Sequence, residues 1–191
     1  SYPEYDSRIL ARGRPAEAIE KLLNDPRHPF FFRPSEGLYA PGSTIKPLLA
    51  IAALNEGIID PQKKILSVGS ITLPNPYNPS QKNIFYDWKA HGWVDMSEAL
   101  AYSSNVYFYE IGGGFENQPG LGISRIKKYA KIFELNKKTG FEFGEAEGLM
   151  PDPEWKKDNN KNDPIWRIGD TYNVSIGQGA IKVTPLEMAK F

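Results

Sequence analysis

The chain has no cysteine among its 191 residues, which excludes disulfides, thiolate nucleophiles and Cys-ligated zinc or iron–sulfur centres. Histidine is nearly as scarce. His28 and His91 are the only two, too few for a His-rich metal centre and unfavourable to a Ser-His-Asp triad. Neither sign of charge is in excess: 23 Lys and Arg balance 23 Asp and Glu. Without surplus cations the chain lacks the phosphate-neutralising field of a nucleic-acid binder. No run of 18 apolar residues occurs, so nothing reads as a membrane-spanning helix. The N-terminus lacks the basic segment and apolar stretch of a secretion signal. Strand signals are also few, with short candidates only at residues 71–73 and 172–176.

Helix signals are plentiful. Apolar residues make up 40% of the chain, enough for a packed core, and the length fits one domain or part of a larger one. Helical periodicity runs through residues 15–23, 43–55, 95–111 and 123–135, the third being interrupted at Ser103-Ser104-Asn105. The 16 prolines and 17 glycines gather mostly in residues 66–92, which include Pro74-Asn75-Pro76-Tyr77-Asn78-Pro79, and in residues 141–169. With Phe85, Tyr86, Trp88, Trp93, Trp155 and Trp166 as anchors, both stretches read as ordered loops. The expectation is a mainly α chain with long loops. Ser1-Tyr2-Pro3-Glu4-Tyr5-Asp6 is turn-like. Thr184 and Pro185 read as the cap and first residue of a helix that stops about two turns later, as though cut from a longer polypeptide.

The most informative segment is Tyr39-Ala40-Pro41-Gly42-Ser43-Thr44-Ile45-Lys46-Pro47. Pro41-Gly42 imposes a turn, Ser43 starts an apolar helix, and Lys46 follows one turn later on the same face. A serine hydroxyl needs a base to become a nucleophile. Lysine can be that base only if burial or the positive helix end lowers its pKa. The Ser43 N–H is a candidate oxyanion donor. Pro47 has no N–H to offer the Ser43 carbonyl, which loosens the first helical turn. The plainer reading is a capping serine and a first-turn lysine, for S-x-x-K arises by chance roughly once in a chain of this size. Ser124-Arg125-Ile126-Lys127 has the same spacing and reads as a helix start with a solvated basic face. Ser103-Ser104-Asn105 lies between two apolar halves, Ala99-Leu100-Ala101-Tyr102 and Val106-Tyr107-Phe108-Tyr109. It is either a helix break satisfied by its own backbone or a tip that turns Ser103 and Asn105 into a site.

Together these segments resemble the class B penicillin-binding proteins, whose motifs are S-x-x-K, S-x-N and K-T-G. The likeness extends over nearly the whole chain: Ser1-Tyr2-Pro3-Glu4-Tyr5-Asp6, residues 39–47 and 54–58, Asp87-Trp88 with His91-Gly92, residues 140–151, and residues 173–189. The Trp88 to Gly92 stretch and Tyr107-Phe108-Tyr109 are most similar to the elongation type, which builds side-wall peptidoglycan. The resemblance implies a partial transpeptidase domain over residues 1–191: the helical lobe of the β-lactamase/D,D-peptidase-like α+β fold, with its flanking sheet strands largely missing. It implies Ser43 as the acylated nucleophile, Lys46 as general base, Ser103 as proton relay to the leaving amine, and Asn105 as the holder of the substrate amide and Lys46. Ser104, Gly177, Gln178 and Gly179 would help to bind substrate. The substrate would be a stem peptide ending in D-Ala-D-Ala, and β-lactam antibiotics would trap the same serine. The further partner would be a membrane glycosyltransferase of the elongation machinery. No metal, cofactor or nucleic acid enters. The location would be extracytoplasmic, in a protein anchored in the inner membrane.

Lys138-Thr139-Gly140 spells the third motif but stands in the wrong place in the family's order and reads as a decoy at a helix end. The residues alone are therefore expected to be catalytically silent. His91 reads as a locally bonded loop histidine. Gly177-Gln178-Gly179 reads as a tight turn, since no lysine follows to make a phosphate loop. Two rival functions remain: a serine β-lactamase, although no E-x-x-L-N block follows the second motif, and a non-catalytic β-lactam sensor or scaffold.

Overall fold

The computed structural model describes residues 3–13, 15–75, 78 and 80–191. The expectations for Ser1, Tyr2, Pro76, Tyr77 and Pro79 lie outside them. Helices α1 (Ser7–Arg12), α2 (Ala16–Leu23) and α3 (Arg33–Glu36) lead to a 3₁₀ turn, Gly42–Ile45, that runs straight into α4 (Lys46–Asn55). Four short strands follow: β1 (Ile65–Ser67), β2 (Ser70–Pro74), β3 (Lys82–Tyr86) and β4 (Gly92–Val94). The rest is helical, with α5 (Met96–Ala101), α6 (Asn105–Gly113), α7 (Gly122–Ile132), α8 (Pro153–Asn159), α9 (Ile168–Ser175) and α10 (Pro185–Lys190).

The chain is mainly α, as expected. Helix α4 is the centre, because it is apolar almost all round: Leu48, Leu49, Ala52 and Ala53 are fully buried. Each of those leucines contributes about 1.5–3 kcal/mol by leaving water. Around them pack Tyr107, Phe108 and Ile111 of α6, Ile126 and Ala130 of α7, Val174 of α9, and Ile181 and Val183 from the segment before α10. Helices α6 and α9 approach closely because Gly112 has no side chain. A Cβ there would lie 1.9 Å from Ser175 Oγ.

Three expected helices are present with their signals intact. Pro15 precedes α2, Asp95 caps α5 by accepting from Glu98 N–H, and Thr184 caps α10 by accepting from Glu187 N–H. Two expectations are corrected. Residues 172–176, read as a strand, lie mostly in α9. Tyr172, Val174 and Ile176 alternate, but the buried set is Thr171, Tyr172, Val174 and Ser175, which is helical spacing. The glycine- and proline-rich stretch at residues 66–92 is largely strand. β2 and β3 pair antiparallel from Ser70↔Tyr86 to Pro74↔Lys82, and β1 pairs with β4 from Ile65↔Val94 to Ser67↔Gly92. Phe85 anchors the hairpin edge-on to Tyr109 and Tyr172. Tyr86, Trp88 and Trp93 are exposed, although the Trp88 indole N–H donates to the Tyr102 carbonyl at 3.2 Å.

Candidate active site

The nucleophile turn is built as its sequence requires. Gly42 takes φ +56, and its N–H donates to the Gly177 carbonyl at 2.9 Å. Pro47 donates nothing to Ser43, so the Ser43 carbonyl accepts from Lys46 N–H in 3₁₀ fashion. This turn leaves Ser43 exposed and drives Lys46 inward, where only 2% of its surface remains accessible.

Lys46 Nζ ends on the second turn. It donates to the Ser103 carbonyl at 2.7 Å, to Ser103 Oγ at 3.1 Å and to Asn105 Oδ1 at 2.8 Å. The amine also lies 5.3 Å from the centre of the Phe108 ring. All three acceptors are neutral oxygens, so no contacting carboxylate favours the charged amine. Burial lowers the lysine pKa to about 8, and the more distant charge of Asp87 pulls it back only in part. At pH 7.5 roughly one lysine in four is therefore neutral and able to accept a proton. Among the described residues Ser43 Oγ makes no hydrogen bond. Lys46 rests on the Ser103–Asn105 tip, and the Ser43 hydroxyl is open to solvent.

The interruption at Ser103-Ser104-Asn105 is a tip between α5 and α6. Ser103 sits at φ +55, a conformation that costs about 1–2 kcal/mol for a residue with a Cβ. This turns its carbonyl and hydroxyl to the same amine. Asn105 begins α6, and its amide nitrogen donates to the Tyr86 carbonyl at 3.4 Å, leaving Oδ1 for Lys46. Ser104 differs from the expectation that it touches substrate. It is fully buried and caps α6, accepting from Tyr107 N–H and donating to Asp87 Oδ2 at 2.9 Å.

The Gly177-Gln178-Gly179 turn packs against the turn that carries Ser43. Gly177, at φ +69, is pressed so closely to Gly42 that a Cβ would lie 2.1 Å from the Gly42 carbonyl oxygen. Gln178 and Gly179 remain exposed beside it.

Asp87 is a residue for which sequence spacing gave no role. Its carboxylate is solvent-free and accepts from Ser104 Oγ, Val106 N–H, Ser67 Oγ and Trp88 N–H. Burial pushes its pKa up, but the hydrogen bonds from Val106, Asn105, Ser104 and Trp88 outweigh that and hold the carboxyl below its ordinary value. The local signal available was an acid next to a tryptophan just past a strand; its partners lie in β1 and at the start of α6. His91 is bonded locally through its backbone, donating to the Ser67 carbonyl at 2.9 Å. Its ring stacks on Tyr102 and meets Trp88 edge-on, and Nε2, 3.7 Å from Asp87 Oδ1, makes no hydrogen bond. Among the described residues no three His, Cys, Asp or Glu side chains gather as a metal site.

Both look-alike motifs lie elsewhere. Lys138-Thr139-Gly140 forms a loop rather than a strand: the Glu145 carboxylate accepts from the Thr139 hydroxyl and from Thr139, Gly140 and Phe141 N–H. Ser124 lies inside α7, where Leu121 rather than the serine occupies the cap, and Lys127 pairs with Asp152.

The comparisons with known proteins agree with this geometry. Residues 7–191 match the family model of the penicillin binding protein transpeptidase domain. The peptidoglycan D,D-transpeptidase MrdA of Haemophilus influenzae is 38% identical over 193 residues, covering 100% of this chain and 28% of that protein. The crystal structure of Pseudomonas aeruginosa PBP2 in complex with WCK 5153 superposes with a TM-score of 0.83 at 31% identity, over 100% of this chain and 41% of that one. PBP2 from Helicobacter pylori in its complex with MreC gives 0.84 at 30%, over 98% of this chain and 33% of that one. The chain thus spans under a third of the length of the curated relative. Its helix-rich architecture, its matched residues and these likenesses together lead to one conclusion: the chain belongs to the penicillin-binding protein transpeptidase domain family.

Proposed function

We propose that the polypeptide carrying this chain is a peptidoglycan D,D-transpeptidase that works through an acyl-enzyme on Ser43. The observation that carries the reading is the buried Lys46 amine, held by Ser103 and Asn105 at 2.7–3.1 Å one turn from an exposed serine. Neutral Lys46 takes the Ser43 proton as Oγ attacks the carbonyl of the penultimate D-Ala. The Ser43 N–H donates to the developing oxyanion. Ser103 passes a proton to the departing terminal D-Ala, and Asn105 holds both Lys46 and the substrate amide. An amine from a second stem peptide then takes the acyl group from Ser43. Gln178 and Gly179, exposed below the nucleophile turn, border the stem peptide; buried Ser104 shapes the tip from behind. No cofactor takes part.

A β-lactam, which has the shape of D-Ala-D-Ala, acylates the same oxygen. The MrdA relatives, named peptidoglycan D,D-transpeptidases, support work on the cell wall; an extracytoplasmic place in a protein anchored in the inner membrane is part of the same reading. The complex of the Helicobacter protein with MreC supports an assembly partner for the whole protein; a membrane glycosyltransferase is a further partner in this reading. Because Lys138-Thr139-Gly140 is locked in a loop by Glu145, the 191 residues alone carry no third motif on a strand and should form no stable adduct.

The test is fluorescent penicillin on the full-length protein. A long-lived adduct that disappears in Ser43→Ala is the expected result. Rapid turnover would indicate a β-lactamase, and no adduct at all a non-catalytic scaffold.

A further inference from the structure

The geometry points to Asp87 as a positioning residue of the acylation centre, its buried carboxylate fixing the Ser103-Ser104-Asn105 tip in the shape that brings Ser103 and Asn105 together on Lys46. The inference rests on the acyl-transfer reading above.

The tip is clamped from two sides. Toward α5, Ser103 N–H donates to the Leu100 carbonyl at 3.2 Å and Ser104 N–H to the Ala99 carbonyl at 2.9 Å. Toward α6, the clamp is Asp87. One oxygen, Oδ2, accepts from Ser104 Oγ at 2.9 Å, from Val106 N–H at 3.0 Å and from Ser67 Oγ at 3.3 Å; the other accepts from Trp88 N–H at 2.9 Å. Ser104 and Val106 flank Asn105, so one carboxylate oxygen spans the residue that binds Lys46. Ser103, just before the span, keeps its left-handed backbone only while its surroundings leave it no alternative.

A carboxylate in this position gives up its hydration, since its side chain is fully buried. Its hydrogen-bond donors are neutral groups, and those bonds offset the loss. The titratable and charged groups facing it are His91, at 3.7 Å from Oδ1 and stacked on Tyr102, Lys46 across the tip, and Tyr109 of α6, whose hydroxyl pKa is pushed up to about 12 by burial and the Asp87 charge. A neutral cap at Ser104 would start α6 equally well. What a charged acceptor adds is strong, directional bonding to several donors at once, which is what holding a strained tip requires. The same charge acts on Lys46 at longer range and favours its protonated form.

The test compares wild type, Asp87→Asn, Ser104→Ala and Ser67→Ala in the full-length protein, reading the saturating rate of penicillin acylation against pH, with thermal unfolding in parallel. Asp87→Asn preserves size and removes the charge. Its saturating rate should fall about 10- to 100-fold, the value of hydrogen bonds to a charged group, with less change in the half-saturating concentration. The rising limb of its pH profile should move to lower pH, because the charge favouring protonated Lys46 is gone. Ser67→Ala, which loses the longest bond, should fall only a few-fold. A merely structural cap would lower the melting temperature and leave the rate and limb of the folded protein where they were, and that result overturns the proposal. If Asp87→Asn does not fold, Ser104→Ala decides: a wild-type saturating rate overturns it, a reduced one supports it. Failure of the wild type to form any adduct would instead overturn the acyl-transfer reading.

Discussion

Ser43-Thr44-Ile45-Lys46 and Ser124-Arg125-Ile126-Lys127 have the same spacing and set the same frame. In each, the serine is exposed and the isoleucine is fully buried. They part at the lysine. Lys46 is buried among neutral oxygens of a second turn, whereas Lys127 is 43% exposed along its side chain and paired with the Asp152 carboxylate. Neutral oxygens in a dry setting leave the Lys46 amine free to lose its proton. The backbone differs too, since Pro47 gives Ser43 a 3₁₀ turn while Ser124 lies within α7. The chemistry therefore belongs to what meets the lysine, and S-x-x-K is only its address.

The strongest way to break that comparison is to truncate both lysines in the full-length protein. Lys46→Ala should slow penicillin acylation about 100- to 10,000-fold, the range for losing a general base, while Lys127→Ala should stay within about twofold by the same assay. Next comes Asn105→Ala, which removes one neutral acceptor from Lys46 and should cost about 10- to 100-fold in acylation rate. A wild-type rate there would mean that the second turn does not support the base.

A pH profile sharpens the contrast. With its pKa lowered to about 8 by burial, Lys46 is mostly protonated below pH 8. The rate should climb about tenfold per pH unit up to that point and then level, and Lys127→Ala should leave the limb unmoved. The smallest effect is at Asp152, whose carboxyl the Lys127 ammonium holds below its ordinary value. Asp152→Asn keeps an acceptor for Trp155 N–H at the start of α8 and loses an exposed ion pair. Stability should drop by less than about 1 kcal/mol in thermal denaturation, with acylation unchanged.

Local chemistry made much of this legible. Pro15 marked α2, Thr184 and Pro185 marked α10, apolar periodicity marked α4, and two serines and an asparagine between apolar halves marked the tip. What escaped was whatever depends on a partner far along the chain. Helix α9 looked like a strand because Thr171 and Ser175 are polar by type; they are core residues here because Gly112 lets α6 come close enough to cover them. Strands β1, β3 and β4 are short and carry exposed apolar residues, so alternation could not reveal them. Asp87 shows nothing in its own neighbourhood that announces Ser67, Ser104 and Val106 as its donors. The burial of Ser104 was hidden for the complementary reason, since the sequence of a turn does not say which of its hydroxyls faces inward.

The contact between Gly42 and Gly177 bears on the order of events during folding. The turn bearing Ser43 is closed by a carbonyl that lies far along the chain, in the segment between α9 and α10. Contacts of such long sequence separation require a large loop to close before they reward it. Helix α4 can form early from its own residues, but its reactive end is completed late, after the segment following α9 has returned to it. A nascent polypeptide halted between the two turns would carry Ser43 and Lys46 without the closed bend that sets their positions.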